Sequence, residues 1–436
     1  SGLVQSTSRG VQINLEGSEQ QLSLFADTLI SQLPQGTEVE SLVSEVIPFR
    51  DHQGFQIVRN PVDGPLNARL PHDVALCTQC EQETSNALDR RYRYPFTSCT
   101  LCGPRYSIIR AMPYERSDTT MSDFAFCDPC RSEYYDPKER RFHAQTNACG
   151  VCGPRLWYVD NRDGSRLFGE HAIAQAINTL KAGLILALRG LGGYQLLVDA
   201  SNDWAVQRLR KRKRRRGKPL AVMVASLAAA EQLASLDEAE RKALTDPSNP
   251  IVLAHAKSNS CLSRSIHPKL DTVGILLPTT PLHAILLQDF GGPLVCTSGN
   301  REGDPLECEL QMAERNLSDI CDSFLHHNRE IARPIDDSVV RIIAGRRVTI
   351  RMARGLAPLS LDLPSAAPIL AVGGHQKAAI AWTNGAQAVL GPHIGDLETL
   401  ATRERCLQLA RDTQNLYGFE PNRIVCDMHP AYFSSE

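Results

Sequence analysis

The sequence predicts a multidomain protein of mixed α/β and α+β class, in which a duplicated four-cysteine module precedes an α/β domain. Three observations predict this. Four Cys-x2-Cys pairs fall into two evenly spaced sets between residues 72 and 158. Helical and strand-like apolar patterns alternate from residue 169 to residue 357. Shorter α+β patterns occupy residues 1–60 and 368–436, and each is too short to build a sizeable core of its own.

The first 60 residues have the pattern of a small α+β unit. An alternating strand is followed by a helical stripe that ends at Pro34. The residues in these patterns are Val11, Ile13 and Leu15 for the strand, and Leu22, Phe25, Leu29 and Leu33 for the helix. Strand-like stretches at 43–47 and 55–58 complete the unit. We expect this unit to be incomplete or to pack against a neighbouring domain.

The cysteine module contains two copies of one pattern. The first set is Cys77, Cys80, Cys99 and Cys102, and the second, 50 positions later, is Cys127, Cys130, Cys149 and Cys152. A Gly-Pro-Arg triplet follows the last cysteine of each set, and its glycine permits a tight backbone. Each pair offers two thiolates, and two pairs complete a tetrahedron around Zn²⁺. The alternative is a group of unrelated thiols or disulfides, and identical spacing argues against it. The sequence therefore predicts two structural zinc sites.

Composition excludes several classes of protein. The chain has 436 residues, 42% of them apolar, and a formal net charge of −2. A net charge this close to zero does not predict binding to nucleic acid or to a membrane surface. No run of about 18 apolar residues and no signal-peptide core is present, which predicts a soluble, cytoplasmic protein. The six cysteines outside the module are expected to be buried, reduced thiols.

From residue 169 to residue 357 the pattern is that of an α/β domain. Helices are predicted at 172–180 and through Trp204 and Leu209, and the strands are predicted at 184–188, 196–198, 220–224, 251–254, 294–297, 339–343 and 348–351. A linker at 363–368 leads to a last unit with strands at 369–372, 378–382, 388–390 and 424–426 and a helix at 399–417. This last unit has too little chain to close a core.

A basic run carries the most distinctive chemistry outside the cysteines. Nine of the eleven residues from Arg208 to Lys218 are Arg or Lys. A solvated helix end or a nucleic-acid patch is the plainer interpretation. However, the run lies between a helix and a strand and is interrupted by Gly217 and Pro219, so its cations can converge on one small anion. A duplex-binding protein would spread its charge over a surface.

Three further groups are candidate binding residues. Thr297, Ser298 and Asn300 surround a glycine at the end of an apolar strand, where they can hydrogen-bond a phosphate or carbonyl, although an ordinary turn explains them about as well. The group His327-Asn328-Arg329 precedes Asp336 and Asp337, which can hold a cation, orient an arginine or cap a turn. The third group, Arg351 and Arg354, offers further donors to an anion or merely charges a strand end.

Together these residues resemble a known family. The block Lys213-x-Arg215-x-x-Lys218-Pro219-Leu220, with Thr297-Ser298-Gly299-Asn300 and Arg354-Gly355, resembles the YrdC fold, whose members bind ATP and make acyl adenylates. Two four-cysteine sets directly before a YrdC-like domain are similar to the HypF family, the carbamoyltransferases of [NiFe]-hydrogenase maturation. Local strings agree over essentially the whole chain, among them Arg91-Tyr92-Arg93-Tyr94-Pro95-Phe96, Arg140-Arg141-Phe142-His143-Ala144-Gln145, Asp336-Asp337-Ser338-Val339-Val340-Arg341 and His393-Ile394-Gly395-Asp396-Leu397.

The resemblance implies an enzyme and a sequence of steps. Carbamoyl phosphate is hydrolysed to carbamate in an acylphosphatase domain, and the YrdC-like domain joins carbamate to ATP, giving carbamoyl adenylate. An ASKHA-fold domain then passes the carbamoyl group to the C-terminal cysteine of HypE. The resemblance assigns catalysis to Lys213, Arg215, Ser298 and Asn300. It assigns cofactor binding to the same four residues together with Lys218, Thr297 and Arg354. Arg208, Arg210 and Arg212 are expected mostly to face solvent along the preceding helix. Mg²⁺ is expected with ATP.

The sequence also departs from the family pattern. Residues 1–60 resemble a partial acylphosphatase domain, in which Ser6 stands where a catalytic Asn is usual and the loop with the catalytic Arg is absent. Residues 368–436 resemble the start of the ASKHA domain, and the usual lysine-asparagine pair is Lys377-Ala378. We therefore expect no acylphosphatase activity and incomplete transfer activity. A truncated chain and a shortened paralogue both remain open.

Two alternative functions remain. One is a zinc-ribbon protein that binds nucleic acid through the basic run, which the near-neutral charge argues against. The other is a YrdC-type threonylcarbamoyl-adenylate synthase, which the duplicated cysteine sets argue against.

Overall fold

The computed structural model describes residues 1–7, 10–33, 39, 41–58, 69–363, 367–385 and 387–436. Pro34 and residues 364–366 of the predicted linker lie outside this part of the chain. The strands are β1 (Gly2–Thr7), β2 (Gly10–Leu15), β3 (Phe55–Val58), β4 (Leu156–Asp160), β5 (Arg166–Phe168), β6 (Leu186–Arg189), β7 (Tyr194–Asp199), β8 (Ala221–Met223), β9 (Ala234–Ser235), β10 (Ile251–Ala256), β11 (Thr272–Leu276), β12 (Leu294–Ser298), β13 (Ser323–His327), β14 (Val339–Ile343), β15 (Arg346–Arg351), β16 (Leu359–Asp362), β17 (Ile369–Ala371), β18 (Ala381–Thr383), β19 (Gln387–Leu390) and β20 (Arg423–Val425).

The helices are α1 (Glu19–Gln32), α2 (Thr78–Ser85), α3 (Asp128–Tyr135), α4 (Gly169–Lys181), α5 (Asp203–Arg212), α6 (Leu227–Leu233), α7 (Glu238–Leu244), α8 (Pro281–Phe290), α9 (Leu310–Leu317) and α10 (Leu400–Tyr417). Within the described ranges, none of these helices combines the length and hydropathy that crossing a bilayer requires.

The first unit is a three-stranded sheet with one helix. Strand β1 pairs antiparallel with β2 and parallel with β3. Helix α1 begins at Ser18, whose hydroxyl accepts from the Gln21 amide while the Gln21 side chain accepts from the Ser18 amide. No residue of α1 is buried, so the helix contributes little core, as expected for so short a unit. The predicted strand at 43–47 is wrong, because these residues are irregular and almost all exposed.

The cysteine module repeats one small structure. Helices α2 and α3 begin directly after Cys77 and Cys127, so the 50-residue repeat in the sequence is a repeat in structure. The module is joined to the α/β domain by backbone hydrogen bonds. The Ala75 amide donates to the Pro247 carbonyl at 2.9 Å, and the Leu76 amide donates to the Thr279 carbonyl at 3.0 Å.

The α/β domain is built on one mixed sheet. The strand order is β15-β14-β10-β11-β8-β12-β7-β6-β13-β4-β5, and β9 pairs with β10. Central strands are apolar on both sides, as in Leu186-Ala187-Leu188, because helices cover both faces and two separate cores form. All seven strands predicted from residue 184 to 351 are present, β14 with the predicted ends and the others with shifted ends. Strands β4, β5, β9, β11 and β13 were not predicted. Strand β13 ends in two buried histidines, His326 and His327, which interrupt its apolar pattern.

The last unit is a five-stranded sheet in the order β16-β19-β18-β17-β20, covered by α10. As expected from its short chain, the unit does not close a core with its own residues alone. Trp382, Leu409 and Tyr417 are buried together with Leu70 and Tyr106, which come from the segment before the cysteine sets and from the module itself. The unit therefore completes its core with side chains contributed by other parts of the chain.

Candidate functional site

The eight predicted metal ligands form two clusters of four thiols. In each cluster the sulfur atoms all lie within 4.8 Å of one another. Cys77 Sγ lies 3.7 Å from Cys99 Sγ, and Cys127 Sγ lies 3.7 Å from Cys149 Sγ. These separations exclude disulfide bonds of about 2.05 Å. A tetrahedron with Zn–S bonds of about 2.3 Å requires sulfur separations of about 3.8 Å. Both clusters therefore suit structural zinc, and their ligand sets are those predicted.

The local fold explains how each cluster forms. Cys77 is the residue before the first turn of α2, and Cys80 lies within that turn, so both sulfurs point to one side. Cys127 and Cys130 have the same places on α3. The second pair of each set lies on a loop that returns to the helix start. The spacing of three residues therefore brings two sulfurs of each cluster together, and the fold of the loop adds the other two.

Each copy of the module also supplies arginines to the cluster of the other copy. Arg140 Nη2 donates to Cys80 Sγ at 3.1 Å, and Arg90 Nη2 donates to Cys130 Sγ at 3.3 Å. The neighbouring arginines, Arg141 and Arg91, are buried and bind Glu83 and Glu133 respectively. Hydrogen bonds to a metal-bound thiolate orient the ligand and offset its charge. The two clusters are thus linked through reciprocal contacts.

The basic run bends at the end of α5 so that Lys213 reaches the end of β12. Lys213 caps α5 and is 1% exposed. Its ammonium donates to the Ser298 carbonyl, to the Asn300 carbonyl at 2.8 Å and to Asn300 Oδ1 at 2.7 Å. Ser298 Oγ donates to the same Asn300 Oδ1 at 2.7 Å. The structure therefore brings Lys213 to two predicted site residues, Ser298 and Asn300, that lie 85 and 87 positions later in the sequence.

Arg215 and Lys218 lie in the loop that follows. Arg215 Nη2 donates to the Pro219 carbonyl at 2.6 Å, which folds the guanidinium back onto its own loop. Lys218 is exposed, and its Nζ lies 3.4 Å from Glu302 Oε1. Burial and the nearby Arg215 charge lower the pKa of Lys213 to about 7, although Asp336 and Glu302 act in the opposite direction. The ammonium is thus close to half-titrated near neutral pH.

Three arginines earlier in the run were expected to face solvent, and this expectation is wrong. Arg208 Nη2 lies 2.6 Å from Asp322 Oδ1, and Arg212 Nη1 lies 3.1 Å from the same oxygen. Arg210 donates to the carbonyls of Lys218 and Arg216 at 3.1 Å. Asp322 follows α9 and neutralises charge that would otherwise accumulate along α5. These arginines therefore hold α5 and the basic loop in place.

A pocket opens at the end of β12, and none of Lys213, Arg215, Lys218, Thr297 and Asn300 lines it. Ser298 and Arg354 line it, together with Gln195, His283 and Asp337. His283 Nε2 lies 2.8 Å from Gln195 Oε1, Gln195 Nε2 donates to Asp337 Oδ2 at 3.2 Å, and Arg354 Nε donates to Asp337 Oδ1 at 2.7 Å. A continuous hydrogen-bonded chain thus forms one wall of the pocket.

The protonation states along this wall follow from burial and charge. Burial lowers the pKa of His283 to about 4, so the imidazole is neutral at pH 7. Burial alone would raise the pKa of Asp337, but the adjacent Arg354 guanidinium holds it below its usual value. His283 Nδ1 and the Thr279 hydroxyl are buried without a partner among the described residues. They are available to a bound molecule.

The arginines and aspartates near residue 340 pair with one another. Asp336 binds Arg351 at 2.7 Å, and Asp337 binds Arg354. Of the interpretations that the sequence left open, orientation of an arginine is therefore the one that the geometry favours. Arg354 also donates to the carbonyls of Ser248 and Asn249, so three of its N–H groups are already used by protein acceptors.

Gln195, Thr279 and His283 were not among the predicted site residues. Gln195 is the second residue of an otherwise apolar strand, and His283 lies in the first turn of the apolar helix α8. A polar residue within a buried apolar element is the only sequence signal, and such residues are common in cores. The pocket, rather than the pattern, identifies them.

Three family models match the chain. The HypF finger model matches residues 76–109 and 126–159, which are the two cysteine copies. The Sua5/YciO/YrdC model, described as telomere recombination, matches residues 178–353, and the model of the HypF Kae1-like domain matches residues 364–436. The three matches follow one another in the order that the sequence predicts.

Whole-chain comparisons agree with these matches. The chain is 42% identical over 438 residues to the carbamoyltransferase HypF of Synechocystis sp., and 36% identical over 447 residues to the probable carbamoyltransferase HypF of Methanocaldococcus jannaschii. Each alignment covers all of this chain and 57% of the relative. A threonylcarbamoyl-AMP synthase of Bacillus subtilis is 25% identical over 239 residues, which is 54% of this chain.

Solved structures give the same result. The structure superposes on full-length HypF in its phosphate- and nucleotide-bound form with a TM-score of 0.94 and 37% identity, covering all of this chain and 57% of that one. HypF of T. kodakarensis gives a TM-score of 0.92 at 33% identity. The chain thus spans somewhat more than half the length of the relatives that it matches. The order of its domains and the agreement over its whole length show that this chain belongs to the HypF family.

Proposed function

We propose that this chain forms carbamoyl adenylate from carbamate and ATP at the pocket beside β12, as part of a HypF-type carbamoyltransferase. A carbamate oxygen attacks the α-phosphorus of ATP, the bond from that phosphorus to the β-phosphate oxygen breaks, and pyrophosphate leaves. The carbamoyl group then passes to a cysteine thiolate of HypE, with carbamoyl phosphate as the earlier source of carbamate. Two structural Zn²⁺ ions occupy the thiol clusters.

One observation carries this proposal. The Lys213 ammonium meets Ser298 and Asn300 at the end of β12, and Ser298 also lines the pocket there. A buried cation with hydroxyl and amide groups around it is what an adenylate-forming site needs, since the protein positions the reactants and neutralises phosphate charge. The relative with a TM-score of 0.94 was solved with nucleotide and phosphate bound, which supports the same chemistry here.

The proposed roles follow from the contacts. Lys213, Arg215 and Lys218 take the phosphates, and a phosphate oxygen replaces one of the carbonyls that Lys213 now binds. Thr297, Ser298 and Asn300 hydrogen-bond the adenylate. Arg354 remains a proposed ligand of the acid or phosphate group, although its bond to Asp337 makes it chiefly a positioning residue. Mg²⁺ accompanies ATP and neutralises charge on its phosphates.

The experiment is ATP binding by calorimetry on zinc-loaded protein. Lys213→Ala or Arg215→Ala removes one charge-assisted contact, which is worth about 1.5–3 kcal/mol, so affinity falls roughly 10- to 150-fold. Lys211→Ala is the matched control, because Lys211 belongs to the same run and is exposed. We expect the control to bind ATP as the parent chain does.

If the basic run binds nucleic acid instead, the variants are expected to behave differently. There each cation contributes about equally through counterion release, and affinity falls steeply with salt. Equal losses in all three variants, with no preference for ATP over RNA, would overturn the adenylate proposal in favour of nucleic-acid binding.

Proton uptake gives a second test of Lys213. Its lowered pKa means that the ammonium loses its proton as the pH rises through about 7. A phosphate beside Lys213 favours the charged form, so ATP binding at pH 8 takes up a proton, whereas binding at pH 6 takes up little. Calorimetry in buffers of different ionisation enthalpy measures this uptake. It is expected to disappear in Lys213→Met, and unchanged uptake in that variant would contradict the assignment.

A further inference from the structure

Two polar groups of the pocket at the end of β12 have no role in the function proposed above. The His283 imidazole and the Thr279 hydroxyl both belong to residues that line the pocket. His283 is 1% exposed and Thr279 is 3% exposed. Within the part of the chain that the structure describes, His283 Nδ1 and Thr279 Oγ1 are buried without a hydrogen-bond partner. A buried polar atom of this kind destabilises the folded protein unless a bound molecule supplies the missing bond.

The other polar side chains that line the pocket already have protein partners. Ser298 donates to a neighbouring amide oxygen, and Asp336 binds an arginine. Arg354 donates to Asp337 and to two backbone carbonyls. Gln195 uses both ends of its amide. The two unpartnered groups therefore indicate what a ligand on this wall has to offer.

The hydrogen-bonded chain along the wall fixes the proton of His283. Arg354 holds the pKa of Asp337 below its usual value, so this carboxylate is ionised and only accepts hydrogen bonds. Gln195 therefore directs its amide nitrogen to Asp337, at 3.2 Å, and its amide oxygen to His283 Nε2, at 2.8 Å. Facing an oxygen, Nε2 carries the proton. Nδ1 of the neutral ring is left with a lone pair and can only accept.

An acceptor and a hydroxyl in one pocket are complementary to an amide-like group. A carbamoyl group presents an amino donor and a carbonyl acceptor on the same edge. The amino group can donate to His283 Nδ1, and the Thr279 hydroxyl can donate to the carbonyl oxygen. An acetyl group has a methyl in place of the amino group, so it would leave the buried Nδ1 unpaired and would displace any water that satisfied it.

We propose that His283 and Thr279 bind the carbamoyl group of the adenylate and select it over acyl groups that have no N–H. Gln195 is a positioning residue, because it holds the imidazole in the tautomer that accepts at Nδ1. This inference rests on the proposed function, since it assigns the acyl end of the same adenylate.

A matched pair of stable adenylate analogues tests the inference. N-carbamoylsulfamoyl adenosine and N-acetylsulfamoyl adenosine differ only in an amino group against a methyl group of similar size. Their affinities are measured by calorimetry on zinc-loaded protein, beside that of ATP. We expect the carbamoyl analogue to bind the parent chain at least about tenfold more tightly than the acetyl analogue, because only its amino group pairs with Nδ1.

The variants separate the two roles. In His283→Phe the preference for the carbamoyl analogue is expected to fall below about threefold. Thr279→Val is expected to weaken both analogues about tenfold, because both carry the carbonyl oxygen, whereas Thr279→Ser keeps the hydroxyl and the affinity. Gln195→Leu is expected to lose part of the preference. The ratio of two affinities measured on one variant is not changed by a general loss of packing.

Thr349→Val is the control for Thr279→Val, because Thr349 is an exposed threonine on β15, and it is expected to bind both analogues as the parent chain does. If His283→Phe does not fold, the parent chain and Thr279→Val decide the outcome.

The outcomes distinguish this inference from the function on which it rests. If the parent chain binds neither ATP nor the analogues, the proposed function and this inference are both overturned. If ATP binds but the two analogues bind equally or not at all, the proposed function stands and only the selection of the carbamoyl group is overturned. A preference that persists in His283→Phe would overturn the role of His283, and one that is unchanged in Gln195→Leu would overturn the positioning role of Gln195.

Discussion

The two copies of the cysteine module have the same local structure but different surroundings. In both, a helix begins after the first cysteine, and the sulfur separations agree within about 0.1 Å. In the first cluster three of the four cysteines are buried, and in the second only Cys130 and Cys149 are. The first copy also lies next to the backbone bonds that join Ala75 and Leu76 to the α/β domain. The repeat therefore determines each tetrahedron, whereas the neighbours of each copy determine how much of the fold depends on it.

The glycines that follow the last cysteine of each set, Gly103 and Gly153, also differ in their surroundings. Gly103 has a φ of +101°, a conformation that L side chains rarely adopt. Gly153 has no positive φ, but a Cβ there would lie 2.0 Å from the Tyr94 hydroxyl. A Cβ at Gly153 would also lie 2.6 Å from the Ala148 Cβ of its own copy. Gly103 is thus required by its backbone conformation, and Gly153 is required by the close approach of other atoms.

Among the variants that test this comparison, those that lose a metal ligand are expected to show the largest change in zinc content and soluble yield. Cys99→Ala and Cys149→Ala each remove one thiolate, so native mass spectrometry is expected to show one zinc per chain instead of two. Structural zinc contributes folding free energy directly, and Cys99→Ala is expected to cost more soluble protein because three cysteines of its cluster are buried, against two in the other. Fewer than about 1.5 zinc ions in the parent chain would contradict the two-site assignment. Equal yields of the two variants would show that the surroundings do not matter.

The next largest change is expected in zinc affinity when an arginine that binds the cluster of the other copy is replaced. Arg140→Met lies in the second copy but removes the N–H donor to Cys80 in the first cluster. Loss of such an outer contact lowers metal affinity roughly 10- to 100-fold, so this variant is expected to release one zinc earlier to a chelator. Arg90→Met is expected to weaken the second cluster in the same way. Replacement of Cys80 or of Cys130 gives chains in which a single cluster remains intact. Titration of each such chain with cobalt then identifies which cluster loses affinity.

Arg131→Met is the control for this experiment, because Arg131 lies beside Cys130 on α3 but is exposed. It is expected to release zinc as the parent chain does. If Arg140→Met weakened only the cluster of its own copy, the reciprocal linkage would be wrong.

The smallest change is expected in unfolding free energy when either glycine is replaced by alanine. Gly103→Ala and Gly153→Ala are each expected to cost about 1–3 kcal/mol of unfolding free energy, the first through backbone strain and the second through overpacking. Tyr94→Phe removes the oxygen that a Cβ at Gly153 would meet. It is therefore expected to recover part of the loss in Gly153→Ala but none in Gly103→Ala. Chemical denaturation of the three single and two double variants measures both differences, and equal recovery would contradict the distinction.

The sequence predicted those features whose residues are close together in the chain. The eight cysteine ligands follow from a spacing of three residues within each pair, and the first turn of a helix completes the geometry. Most strands of the α/β domain follow from continuous apolar runs. Strand β13 was missed because its buried histidines break that run. The strand at 43–47 was predicted wrongly because a short alternating pattern without a partner does not form a sheet.

Only the tertiary structure decided which distant side chains meet. Lys213 reaches Asn300 because α5 ends beside β12, and Arg208 and Arg212 are held by Asp322 rather than by solvent. The last unit closes its core with Leu70 and Tyr106, more than 250 residues away in the chain. The meeting of two thiolates three residues apart is set by covalent spacing, which the sequence records directly. Burial of a charge, its partners and its pKa depend on packing between elements, which no local pattern contains.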